Sequence, residues 1–184
     1  MRAFPSSISI MLEKEVTQRV GDYIEDGYEG HKELMPNDAY SKALDALVVA
    51  CVDIIMLFEG NVILGKRDQY PQADWWLFGG RMRTGEALTE SAARLIRNEA
   101  GITLSASRFT YITTFVAAWK MRAHVPQENG THTVSTVFVV SLTKEEFDAM
   151  KLNEEYGEWK LVTPKDIISG NYHPALRQCA GALS

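Results

Sequence analysis

The 184-residue sequence predicts an α/β (α+β) fold with a mixed sheet. Short runs rich in Val and Ile, such as ALVVACVDIIMLF and HTVSTVFVVSL, read as strands. Segments of helical period stand between them, so the chain is neither all-α nor all-β. Hydrophobic content of 46% and charged content of 23% suit one soluble globular unit with a sizeable core.

Taken in order, residues 1–45 form a predicted helical extension and residues 46–184 the main domain. Leu12, Val16, Val20 and Ile24 recur every four residues and make one helical stripe, which Gly27 and Gly30 end. NDAYSKALDAL is a second short helix with Asn37 or Asp38 as its N-cap. The composition changes near Leu47, where ALVVACVDIIMLF begins as a buried strand. EGN is a turn in which Gly60 supplies positive φ and Asn61 tolerates it. VILGKR then returns as the second arm of a hairpin. QYPQADWW is a loop and WLFGG a short strand. Glu86 to Ala100 form a helix with Thr84 as N-cap and Gly101 as its stop. SRFTYITTFVAAWKM and HTVSTVFVVSL are two strands around a loop with an Asn-Gly turn. KEEFDAM is a short helix, EWKLVTP a last strand, and PKDIISG and HPALRQCAGAL closing helices, the second started by His173.

The bulk properties exclude some functions. A formal net charge of -5 argues against a nonspecific nucleic-acid binder. An anionic substrate would need local Arg or metal to overcome that field. Cys51 and Cys179 are far apart and form neither a disulfide framework nor a metal knuckle, so a reducing, cytoplasmic setting is expected. The N-terminal apolar stretch is broken by Pro5, Ser6 and Ser7, and no signal peptide is read. The run from Ala46 to Phe58 contains Asp53 and is too short for a bilayer, so no membrane partner is expected.

The densest information lies between Gly79 and Ile102, in GGRMRTGEALTESAARLIRNEAGI. Its spacing resembles the signature of the Nudix hydrolases, G-x5-E-x7-R-E-U-x-E-E-x-G-U with U aliphatic. Gly80, Glu86, Arg94, Ile96, Glu99, Gly101 and Ile102 fall on the pattern. Leu95 and Asn98 stand where two acids belong. The resemblance covers about residues 46 to 180 and implies the αβα sandwich of that family. In helical register Leu95, Asn98 and Glu99 share one face. Glu99 gives a single anchor for Mg²⁺, or Mn²⁺ in its place, with a backbone carbonyl from the Gly79-Gly80 turn beside it. Glu90 and Arg94 are spaced for an ion pair.

The departures are similar to the altered box of the GDP-mannose mannosyl hydrolase branch, which carries R-L-x-x-A-E-x-G. Asp53 in DII, Arg67 in ILGKR and Arg81 in WWLFGGR match further motifs of that branch. The resemblance implies that Glu99 and a glycine carbonyl bind Mg²⁺, that Arg67 and Arg81 hold the diphosphate, and that Asp53 helps at the sugar. Arg94, the box arginine, joins the substrate-binding candidates. It also implies attack of water at the anomeric carbon, which releases free sugar from a nucleoside diphosphate sugar.

The general base is open at this stage. Counting back from Trp159 in EWKL puts Asn153 and Glu154 where that branch carries a Gln-His pair. Asn153 is then a metal-side oxygen donor and Glu154 the base. A one-residue shift nominates Glu155, and His124 and His132 are other candidates. Trp75 or Trp76 could stack on a base or sugar. Two other functions stand beside this one: a phosphoanhydride hydrolase acting on another nucleoside diphosphate derivative, and a nucleotide-sugar binding module without turnover. The expected partner is a small molecule. The N-terminal helices could form a homodimer surface or a lid.

Overall fold

The computed structural model describes Tyr23, Ile24, Tyr28, Gly30 and residues 35–183. The helical stripe expected over residues 12–24 thus lies, except for Ile24, outside the described residues. The described chain begins with helix α1 (Asn37–Leu44), followed by strand β1 (Val48–Phe58) at the centre of the sheet. β2 (Asn61–Arg67), β3 (Trp75–Trp76), β4 (Phe78–Arg81), β5 (Thr110–Trp119), β6 (Thr131–Ser141) and β7 (Tyr156–Val162) complete it. Helix α2 (Leu88–Ala100) lies between β4 and β5, and α3 (Lys144–Asp148) follows β6. Helices α4 (Pro164–Ser169) and α5 (Pro174–Gly181) close the chain.

The strand order is β3-β2-β1-β6-β5, with β4 also paired to β1 and β7 to β2. β1 runs parallel to β6 from Val48 opposite His132 to Leu57 opposite Ser141. It runs antiparallel to β2 and to β4. The sheet is therefore mixed. Parallel strands cannot be joined by a tight hairpin, and the chain between β1 and β6 makes the crossover through α2.

Alternation along β1 explains the two layers. Val52, Ile54 and Met56 face one core with Ile63, Phe78, Leu95, Ile96 and Phe138. Ile55 faces a second core with Leu64, Trp76, Phe115, Val137, Ile167 and Leu176. Helix α2 covers the first face, and α4 and α5 cover the second. This is an αβα sandwich.

Local signals differ from expectation in three places. α1 is preceded by Pro36 rather than capped by Asn37 or Asp38. In the β1–β2 turn the positive φ values belong to Glu59 (49°) and Gly60 (77°), while Asn61 begins β2 and donates through Nδ2 to the Glu59 carbonyl. Helix α2 starts at Leu88, not Glu86. Its N-cap is Ala87, whose N–H donates to the Glu90 carboxylate, so Thr84 lies outside the helix. Two other expectations hold. Gly101 ends α2 at φ 71°, and His173 caps α5 by accepting the Ala175 N–H on Nδ1.

Candidate active site

A cavity of about 420 Å³ opens where the β4 glycines meet the end of α2. Asp53, Arg67, Gly79, Gly80, Arg81, Glu99 and Glu155 all line it. They come from β1, β2, β4, α2 and the turn before β7, so the sheet topology assembles them.

The pairing of Asp53 with Gly79 across β1 and β4 brings the two strands into close contact. A Cβ on Gly79 would press on the Val52 carbonyl and lie 2.7 Å from Asp53 Oδ1. Glycine is required there by the approach of the neighbouring strand. It leaves the Gly79 N–H free to donate to Glu99 Oε2 at 2.9 Å. The Tyr156 hydroxyl donates to the same oxygen at 2.7 Å. Both contacts fall on Oε2, and Oε1 lies on the Gly80 side, 3.9 Å from where a Cβ would be. Glu99 is 5% exposed. Burial, with a smaller contribution from the adjacent Glu155, outweighs the Tyr156, Gly79 and Arg67 interactions that lower its pKa and brings it up to about 7. A carboxylate with this bias gains from a nearby cation.

Arg67 spans from β2 to the turn before β7, where it forms an ion pair with Glu155 at 2.5 Å. Its Nε is buried with no hydrogen-bond partner among the described residues. Such a donor is uncommon in a folded protein and fits an acceptor supplied by a ligand. Arg81 makes no ion pair among the described residues; its guanidinium lies 4.0 Å from the centroid of the Tyr40 ring. Asp53 is buried, and burial raises its carboxyl pKa against hydrogen bonds from Ser135 and Trp76 and the charge of Arg67. It is biased toward a neutral form able to donate. Trp76 lines the cavity wall edge-on to Phe115 and Trp119, whereas Trp75 packs outside it under Lys160.

Several sequence-predicted residues go elsewhere. Glu154 is exposed and off the cavity, while Glu155 points in. Asn153 does not line the cavity, and its Oδ1 accepts the Glu155 N–H at 3.0 Å. It shapes the turn that delivers Glu155. His132 is exposed because Thr131, Thr133 and Ser135 of β6 take the cavity face and alternation sends His132 to the other. His124 does line the cavity. Arg94 borders it but is held by Glu86, at 2.5 Å from Nε and 2.8 Å from Nη2, and by the Arg81 carbonyl at 3.0 Å. The ion pair expected between Glu90 and Arg94 is replaced by this one, because Glu90 is occupied at the start of α2. Leu95 is a core residue and Glu99 is buried, but Asn98 is exposed, so the three do not share one environment.

Tyr156 and Arg122 were not anticipated. Tyr156 stands two residues before EWKL, and an aromatic at a strand start carries no signal that its hydroxyl will hold an acid. Arg122 is 1% exposed, yet in sequence it reads as a loop arginine.

Residues 48–180 match the sequence profile of the NUDIX domain, which is most of the chain. The chain belongs to the Nudix family. A relative in Haloferax volcanii, "Low-salt glycan biosynthesis protein Agl8", is 24% identical over 131 residues, covering 71% of this chain and 80% of that protein. The fold is similar to that of a MutT Nudix hydrolase from Burkholderia pseudomallei (TM-score 0.59, 21% identity, 75% of this chain and 99% of that one). It is also similar to a MutT protein from Methanosarcina mazei Go1 (TM-score 0.58, 21% identity, 73% and 91%). The activity that follows from membership of the Nudix family is hydrolysis of a nucleotide derivative. The Nudix box divides in two here: Glu86 and Arg94 brace the loop after β4, and Glu99 is the box carboxylate that lines the cavity.

Among the described residues no group of three or more His, Cys, Asp or Glu gathers as a metal site. The donors present are hard oxygens: the Glu99 carboxylate and the Gly79-Gly80 backbone, with the Glu155 carboxylate nearby on Arg67. They fit an ion that keeps water and takes substrate phosphate as further ligands, as Mg²⁺ does.

Proposed function

We propose that this Nudix domain hydrolyses a nucleoside diphosphate sugar, with Mg²⁺ or Mn²⁺ as cofactor, and that water attacks the anomeric carbon. One observation carries the reading. The cavity holds two arginines with unspent capacity for an anion, Arg67 and Arg81, beside a single box acid, Glu99. Attack at phosphorus calls for a water activated beside the metal by a further box carboxylate. Attack at carbon calls instead for stabilisation of a departing diphosphate, and arginine forks suit that task.

Bound at Glu99, the cation would neutralise diphosphate charge. Arg67 and Arg81 hold the remaining phosphate oxygens. The water oxygen bonds to the sugar carbon, the carbon–oxygen bond to the diphosphate breaks, and its electron pair stays on the leaving phosphate. Glu155 accepts the proton of the attacking water, in place of Glu154. Asp53 hydrogen-bonds a sugar hydroxyl, and Trp76 offers an apolar wall. The Haloferax relative is named for glycan biosynthesis, which accords with a sugar-bearing substrate.

Hydrolysis of sugar nucleotides, GDP-mannose first, in ¹⁸O-labelled water tests the reading. Label is expected in the free sugar. Label in phosphate would transfer the protein to the phosphoanhydride hydrolases, and binding without Mg²⁺-dependent product would leave a binding module.

A further inference from the structure

The cavity has a wall outside the β-sheet and α2. Helix α1 contributes Tyr40 and Leu44 to it, and the loop after β5 contributes Arg122, Ala123 and His124. These two segments are fastened together by a buried polar staple. Arg122 Nη1 donates to Asp45 at 2.7 Å and to the Gly130 carbonyl at 3.1 Å. Its Nη2 donates to Ser41 Oγ at 2.9 Å, and its Nε to the His124 carbonyl at 3.0 Å. Ser41 Oγ in turn donates to the Val125 carbonyl. Asn129 Nδ2 reaches the same Asp45 oxygen at 3.0 Å. A guanidinium this buried is tolerated only where its donors are satisfied, and four contacts satisfy this one.

The staple grips the chain at Ser41, next to Tyr40, and at Asp45, just past the end of α1. The Tyr40 ring then meets His124 edge-on at 4.8 Å and lies over the Arg81 guanidinium at 4.0 Å. Arg81, like the exposed Arg83 at the cavity's rim, makes no ion pair among the described residues, but only Arg81 lies against the Tyr40 ring. A planar guanidinium on an aromatic face keeps its N–H donors in the plane, free for phosphate oxygens.

We infer that Tyr40 is a positioning residue that orients Arg81 for the diphosphate, and that the Arg122 staple to Ser41 and Asp45 holds α1 in place for it. The inference rests on the proposed function, since it takes the ligand of Arg81 to be a diphosphate. It makes α1 part of the binding site rather than an appendage of the domain.

Equilibrium binding of GDP and of inorganic diphosphate, each with Mg²⁺, tests it in the full chain. Tyr40→Leu is expected to raise both Kd values about three- to tenfold. Tyr40→Phe, which keeps the ring face, is expected to bind as wild type does. In an Arg81→Ala background Tyr40→Leu should have no further effect, because the group it orients is gone. Asp45→Ala, at a half-exposed position, loosens the staple without opening the core and should raise Kd in the same direction. Unchanged Kd in folded Tyr40→Leu, or an equal loss with and without Arg81, would overturn the inference alone. Wild-type protein that binds neither probe would overturn the proposed function, and the inference with it.

Discussion

Glu99 is held by two donors on one oxygen and buried to 5% exposure, so its chemistry depends on what approaches the other oxygen. Adjacent acids in the sequence diverge for a simple reason. The Asn153 side chain accepts the Glu155 N–H and turns the chain, which sends Glu155 toward Arg67 and Glu154 to solvent. Single substitutions separate the three carboxylates. Glu99→Gln is expected to abolish Mg²⁺-dependent turnover. Glu155→Gln should lower kcat about a hundredfold or more, the loss of a general base. Glu154→Gln should leave the rate within about twofold, as for an exposed side chain. Steady-state kinetics on the sugar nucleotide that passes the labelling test reads all three, and a large loss in Glu154→Gln would return the base to that residue.

At the scale of elements, the Nudix box is a loop–helix unit braced by Glu86. This residue stands before α2 and accepts from Arg94, Ser91 Oγ and the Arg83 N–H. Burial alone would raise its carboxyl pKa, but the bonds from Arg94, Ser91 and Arg83 outweigh it and bring the value from 4.5 down to about 2. The folded state therefore takes up this proton later than the unfolded chain does. The stabilisation is complete above about pH 4.5 and is lost as the pH falls toward 2. Glu86→Gln should cost about 2 kcal/mol at neutral pH, the scale of hydrogen bonds to a charged group. It should also flatten the acid limb between those two pH values. Urea unfolding at pH 7 and pH 3 checks both, and an unaltered difference between the two pH values would remove Glu86 from the brace.

Across the whole molecule, the sheet separates two cores, and the cavity opens beside the one that α4 and α5 cover. Leu176 of α5 is 1% exposed and packs with Ile55, Trp76 and Phe115, next to the cavity wall. Leu176→Ala should cost about 3 kcal/mol of stability through lost burial and a residual void. A shift of the urea midpoint without a change of slope is the expected result. No described helix is long and apolar enough to cross a membrane. Both cysteines are free, and burial pushes each thiol up to about 12, so neither is a reactive thiolate at neutral pH.

Local sequence specified the strand and helix types, the mixed class and the spacing of the Nudix box. Those follow from local periodicity and from glycines that a close approach or a turn requires. It also nominated Asp53, Arg67, Arg81, Glu99 and, by a shift of one, Glu155, all of which line one cavity. Packing between distant segments set which polar residue faces which partner. It paired Arg94 with Glu86 rather than Glu90, turned His132 and Glu154 outward, and brought Tyr156 to Glu99 and Arg122 to α1. Arg122 is 77 residues from Asp45, and Tyr156 is 57 from Glu99. Contacts at such separations are set by strand register and by the phase of alternation, and a slip of one residue reverses which side a side chain faces.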